Sequence, residues 1–220
     1  TMQKLYEQKF TTYPRSDCDY LPTNQLSDAP AILKNLAGIQ KDGFSALVAK
    51  ADTSIRSRAW NDKKISAHHA IIPTTVNPKF ESLSEIEQNL YNMVAQAYLA
   101  QFFPIHTYQA TRITIEADGE HFIANGKAIL ENGWKDIYAK NKSEDDEKEG
   151  SAILPDCQEG DSVTFAGSKI LEKETKPPKR INPSTLLKAM KEIDKYVKDP
   201  SLKAELKECS GIGTEATRAG

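Results

Sequence analysis

The chain has 220 residues, 39% of them hydrophobic and 27% charged, which supplies packed cores and excludes global disorder. No apolar stretch reaches the length of a membrane span and Thr1-Met2-Gln3-Lys4 is no signal peptide, so a protein of the cytoplasm is expected. A nucleic-acid binder is usually basic, so a net charge of −2 and a pI near 6.1 weakly oppose a DNA role.

Met2 to Phe10 reads as the last turns of a helix, with Leu5 and Tyr6 as its apolar positions. A proline-pinned segment follows, Thr11-Thr12-Tyr13-Pro14-Arg15-Ser16-Asp17-Cys18-Asp19-Tyr20-Leu21-Pro22. Ser27-Asp28-Ala29-Pro30 is a helix start with a cap candidate and proline in the first turn. That helix carries Ile32, Leu33 and Leu36, and Gly38 stops it. A second short helix, from about Phe44 to Lys50, completes a unit of helix-turn-helix type. The run from Arg56 to Ser66 reads as a polar connector to His68 and His69, and Ile71-Ile72-Pro73 as an apolar anchor.

Ser84-Glu85-Ile86-Glu87 is a capping box opening the longest helix, to about Phe102. Its apolar positions are Ile86, Leu90, Tyr91, Val94, Ala97 and Tyr98. Beyond Pro104 the period changes to two: Tyr108, Ala110, Arg112 and Thr114 alternate with Gln109, Thr111, Ile113 and Ile115. Asp118-Gly119, Asn125-Gly126 and Asn132-Gly133 are turn signals, and Val163 to Leu171 reads as a return strand. Residues 142–150 form a charged loop, in which Glu144 to Glu149 holds five acids and one lysine. Lys176 to Lys191, by contrast, has five basic residues, Lys179 and Arg180 among them, and no acid. Charge is thus segregated, as local phosphate binding needs. Asn182-Pro183-Ser184 starts a helix through Leu186, Leu187, Met190 and Ile193; a short helix from Ser201 to Lys207 follows. The final segment stops in the first turn of another helix, with Thr214 as N-cap. Both ends look cut, as in an internal fragment of a longer protein.

Several side-chain groups bear on chemistry. Pro14 pushes Tyr13 toward an extended backbone, where residues two apart share a side, so Tyr13 and Arg15 face one object together. A phenol oxygen beside a guanidinium suits attack on phosphorus, the arginine holding the phosphate and its growing charge. Alone, the segment fits a surface turn with a half-buried tyrosine better, since the chain has eight tyrosines. His68 and His69 do not make a metal site, since adjacent side chains diverge and no third ligand lies nearby. Asp17, Asp19 and Asp28 lack metal-cluster spacing, and Cys18, Cys157 and Cys209 lack CxxC spacing, so no metal site is expected in the chain. Thr214, Thr217 and Arg218 lie at a glycine-flanked helix start, whose N–H groups favour phosphate.

Thr12-Tyr13-Pro14-Arg15-Ser16-Asp17 resembles the active-site segment of type IA DNA topoisomerases of the topoisomerase III branch. Ala67-His68-His69-Ala70-Ile71-Ile72-Pro73-Thr74 and Gly211-Ile212-Gly213-Thr214-Glu215-Ala216-Thr217-Arg218-Ala219-Gly220 resemble the same family in the expected order. The resemblance implies that Tyr13 attacks single-stranded DNA and retains the 5′-phosphate, with His68 contacting the scissile phosphate. The role of His69 stays open. It implies that the Thr214 to Arg218 segment grips the strand upstream of the cut. It also implies magnesium, held with a catalytic glutamate and lysine in a Toprim domain expected to be missing from this chain.

The expected fold is mixed α and β in three parts. These are a helical tyrosine unit (1–78), a β-rich antiparallel arch with one long helix (79–176) and the start of a helical DNA-binding domain (177–220). The expected function is ATP-independent relaxation or decatenation by a monomeric parent enzyme, the 220 residues alone being inactive. A non-catalytic single-strand binding module is the alternative; a tyrosine recombinase fits less well, because that chemistry wants several arginines around its tyrosine.

Overall fold

The computed structural model describes residues 1–39, 43–141, 154–208, 211–213 and 215–218. The chain divides into two compact units, residues 1–161 and 162–220. Helices and one two-stranded antiparallel sheet make the fold mixed α and β.

In the first unit, α1 (Met2–Glu7) is shorter than expected, because the chain leaves the helix through Lys9 at φ 62°. Leu5 is fully buried, and Lys4 Nζ lies 2.6 Å from a Glu87 carboxylate oxygen. α2 (Ala29–Ala37) starts with proline in its first turn and buries Ile32, Leu33 and Leu36. Gly38 ends it with φ −74°, so this stop does not use the left-handed conformation. α3 (Phe44–Val48) follows Gly43, which does use it, at φ 74°. The supposed polar connector hides a core residue. Trp60 is buried against Tyr98 and Phe102, at ring-centroid distances of 6.4 and 6.0 Å, and its backbone bridges Leu21.

The capping-box reading places the start of α4 (Glu85–Leu99) correctly. Glu87 accepts the Ser84 backbone N–H at 2.9 Å and the Ser84 hydroxyl at 2.8 Å. Those bonds and the Lys4 ammonium, the ammonium foremost, hold the Glu87 carboxyl down at about 2 against an ordinary value of 4.5. The group's stabilisation is therefore complete above 4.5 and is lost as pH falls toward 2. The buried stripe of α4 is Glu87, Tyr91, Ala95, Tyr98 and Leu99, rotated from the expected one, and Ile86 is exposed. A single 3₁₀ turn extends the helix to Phe102, which is also buried.

This core runs without a break from Leu5 through Leu36, Phe44 and Ile72 to Tyr91, Phe102 and Ile137. Apolar burial of this kind is the main stabilising force in a unit whose loops carry the site.

β1 (Thr107–Ala117) and β2 (Glu120–Glu131) form one long hairpin. Asp118 and Gly119 turn it, both at positive φ (51° and 79°), as a two-residue type I′ turn requires. The period-two reading holds. Thr111, Ile113 and Ile115 are half-buried, while Tyr108, Ala110, Arg112 and Thr114 face solvent. Asn125-Gly126 is not a turn: it lies within β2 opposite Arg112 and Thr111, where continuous cross-strand pairing overrides the local preference. At Asn132-Gly133 the chain does turn, because Gly133 has φ 53° and a side chain there would run into the Pro104 carbonyl. The charged run 142–150 lies outside the described residues.

In the second unit the expected return strand does not form. Residues 162–182 have no regular structure, and Val163, Phe165, Ile170 and Leu171 are exposed. Without a partner ladder, β-branched and aromatic residues do not make a strand by themselves. α5 (Pro183–Lys191) is capped by Asn182, whose side chain accepts the Thr185 N–H at 2.9 Å. α6 (Pro200–Glu208) and the single-turn α7 (Glu215–Arg218) follow.

Candidate active site

Two short stretches of chain meet to form the site, one ending at Tyr13 and the other running from His68 to Thr74. Thr11 pairs with Pro73 in an antiparallel bridge. Thr12 fastens the two stretches three times. Its N–H donates to the Ile72 carbonyl at 3.0 Å, its Oγ1 accepts the Ile72 N–H at 3.0 Å, and its hydroxyl donates to the Ala70 carbonyl at 3.3 Å. Thr74 closes the far end, its N–H on the Phe10 carbonyl and its hydroxyl on the Lys9 carbonyl. These bonds are why residues 55 positions apart in sequence become neighbours.

The Tyr13 and His68 rings stack, with centroids 4.4 Å apart and planes 22° from parallel. His68 is exposed and Tyr13 half-buried, so the pair lies at the surface with one side open. Neither ring makes a hydrogen bond to another described residue. Arg15 is exposed too, and its guanidinium has no ion pair or hydrogen bond among the described residues. The chain bends at Pro14 and Arg15, so strand alternation does not set the arginine's direction, as it would in a fully extended segment.

His69 is committed differently. Its Nδ1 lies 2.7 Å from the Ala70 carbonyl and its Nε2 lies 3.1 Å from the Gln25 amide nitrogen. With the amide in this orientation Nε2 accepts, and Nδ1 carries the proton donated to the carbonyl. His69 thereby ties the strap to the Gln25 turn and leaves His68 free to meet Tyr13. Sequence reading missed Gln25 as part of the site, and it included Thr12 in the motif without seeing its fastening role. It also took Tyr6 for an apolar helix position, whereas Tyr6 is 38% exposed and meets Tyr13 edge to face, centroids 5.7 Å apart.

Other tyrosines are poorer nucleophiles. Burial pushes the Tyr91 and Tyr98 phenols well above the ordinary value, the Asp28 charge adding to the effect at Tyr98, which keeps both protonated. Among the described residues no three His, Cys, Asp or Glu side chains converge in a way that could hold a metal.

In the second unit Lys179 and Arg180 are exposed on irregular chain, and Thr217 is exposed on α7. Arg218 is buried, 8% exposed, with its Nε donating to the Ile212 carbonyl at 2.8 Å. Thr214, the expected N-cap, lies outside the described residues.

A family model described as DNA topoisomerase matches residues 1–220. Similar proteins include DNA topoisomerase 3 of Vibrio cholerae, 40% identical over 219 residues, which cover 99% of this chain and 33% of that protein. DNA topoisomerase 3 of Haemophilus influenzae is 40% identical over 221 residues, 100% of this chain and 33% of that protein. For DNA topoisomerase 3 of Bacillus subtilis the figures are 37% over 226 residues, 99% and 30%. The chain belongs to the DNA topoisomerase family, in its type IA class and topoisomerase III branch. It spans about a third of the length of these relatives. No helix among the described residues is long and apolar enough to cross a membrane.

Proposed function

We propose that this chain carries the nucleophile of a type IA topoisomerase, and that Tyr13 attacks single-stranded DNA. The Tyr13 oxygen forms a bond to phosphorus while the bond from phosphorus to the 3′ oxygen breaks, leaving a 5′-phosphotyrosine and a free 3′-hydroxyl. The phenol proton passes to solvent water as the oxygen attacks, and the departing 3′ oxygen takes up a proton from a group outside the described residues. Reversal of the same exchange rejoins the strand without ATP, so that the parent enzyme relaxes or decatenates DNA. Arg15, exposed and without an ion pair among the described residues, binds the phosphate and the charge that builds on it. His68 donates a hydrogen bond from its ring to the same phosphate.

The stacked contact between Tyr13 and His68 is the observation that carries this reading. It favours chemistry over passive strand binding, for which the two rings need not meet. Lys179, Arg180 and Thr217, with Thr214 and Arg218, supply phosphate contacts along the strand. The described residues do not fit a magnesium site, so the magnesium that the family implies belongs with a Toprim domain elsewhere in a monomeric parent, and no step is assigned to it here. By themselves the 220 residues bind single strands and relax no supercoils. The test is to stop the full-length protein with denaturant during cleavage of a labelled oligonucleotide. A covalent adduct is expected in the parent and none in Tyr13→Phe; an adduct that survives the substitution defeats the proposal.

A further inference from the structure

Tyr13 touches a second ring besides His68, and nothing in the proposed chemistry uses it. Tyr6 stands at 87° to Tyr13, a favourable edge-to-face arrangement at 5.7 Å. Tyr6 is itself held in place. Its neighbour Leu5 is fully buried, Lys4 is paired with Glu87, and Gln3 donates to Glu7 at 3.0 Å along α1. Beyond the helix, the Tyr6 carbonyl accepts the Lys9 N–H at 2.8 Å, and Thr74 in turn bonds the Lys9 carbonyl. The Tyr6 hydroxyl makes no hydrogen bond among the described residues, so its contact with Tyr13 is made by the ring. A large aromatic side chain left 38% exposed on an otherwise anchored helix is doing little for the core.

We propose that Tyr6 is a positioning residue for Tyr13. With His68 stacked on Tyr13 and Tyr6 meeting it nearly at right angles, the Tyr13 ring is held from two directions. Rotation about its side-chain bonds is restricted, and the phenol oxygen points one way before the strand arrives. Holding a nucleophile in its attacking geometry lowers the barrier without adding affinity for the substrate. Tyr6 therefore acts on the cleavage rate and leaves strand binding unaltered. The proposal rests on Tyr13 being the nucleophile.

The experiment compares Tyr6→Leu, which keeps apolar bulk but removes the ring, with Tyr6→Phe, which keeps the ring and removes the hydroxyl. In the full-length protein, single-turnover cleavage by Tyr6→Leu should slow about tenfold, with the dissociation constant for a single-stranded oligonucleotide and the melting temperature unchanged. Tyr6→Phe should restore the rate. Equal rates for Tyr6→Leu and the parent would overturn the proposal, and so would a Tyr6→Phe as slow as Tyr6→Leu. A second measurement needs no catalysis: with fluorotyrosine incorporated, the Tyr13 resonance, assigned by its loss in Tyr13→Phe, should move in Tyr6→Leu and stay in Tyr6→Phe. An unmoved resonance would also overturn the proposal. An adduct persisting in Tyr13→Phe would instead indict the nucleophile assignment, which keeps the two failures apart.

Discussion

The two units solve different physical problems. In residues 1–161 the groups assigned to chemistry sit on short, irregular stretches, yet each stretch is fastened to a continuous core. Thr12, Thr74 and His69 make the fastenings, and Leu5, Leu21 and Ile72 are the buried anchors. In residues 162–220 the groups assigned to strand binding, Lys179 and Arg180, stand on exposed chain without regular structure. Bond making demands that a phenol oxygen be held within a fraction of an ångström, whereas a phosphate contact through a long, charged side chain needs only reach. On the proposed assignment, order is concentrated at the nucleophile and exposed charge at the strand contacts.

Breaking the first half of that comparison should have the largest effect. In the full-length protein, Arg15→Ala or His68→Ala should slow cleavage by roughly 100-fold, as for loss of a positioned donor to a developing charge. Both side chains are exposed, so melting temperature should hardly change. A large fall in melting temperature with normal cleavage by the folded fraction would make them structural residues.

Thr12→Val tests the fastening itself. It leaves the Ile72 N–H and the Ala70 carbonyl short of a partner, a loss of about 1–3 kcal/mol of stability by denaturant titration. Cleavage should slow as well, and Thr12→Ser should recover both. If Thr12→Val slows cleavage at unchanged stability, the hydroxyl serves the substrate and not the framework.

The second unit should show the smallest effects. Single-strand affinity should fall with salt at a log-log slope of about −0.7 for each phosphate contact, and Lys179→Ala or Arg180→Ala should each flatten it by about that amount. Neither should alter the cleavage rate at saturating strand. A rate effect there would mean that these exposed contacts also orient the reacting phosphate.

Much of this was legible in sequence wherever a local rule had no competitor. Ser84 to Glu87 announced α4, Asp118-Gly119 announced the hairpin turn, and Asn182-Pro183 announced α5, because cap and turn chemistry act over three or four residues. The same rules failed where longer-range pairing prevailed. Asn125-Gly126 was absorbed into β2, and Val163 to Leu171 stayed out of any sheet. Trp60 was hidden by its polar neighbours; only its packing on Tyr98 and Phe102 reveals it as core. At the site, the motif residues Tyr13, Arg15 and His68 could be picked out, but the stack of Tyr13 on His68 could not. It depends on Thr12 and Thr74 joining two distant stretches, which no spacing encodes. Tyr6 was misread for a related reason: helix periodicity tells which face a residue is on, not which ring lies across from it.

The measurement that bears most directly on the account is the site of covalent attachment. Trapped adduct from the full-length protein, digested and analysed by mass spectrometry, should carry the nucleotide 5′-phosphate on the peptide containing Tyr13 and on its phenol oxygen. Attachment through any other residue, or through a 3′-phosphate, would contradict it.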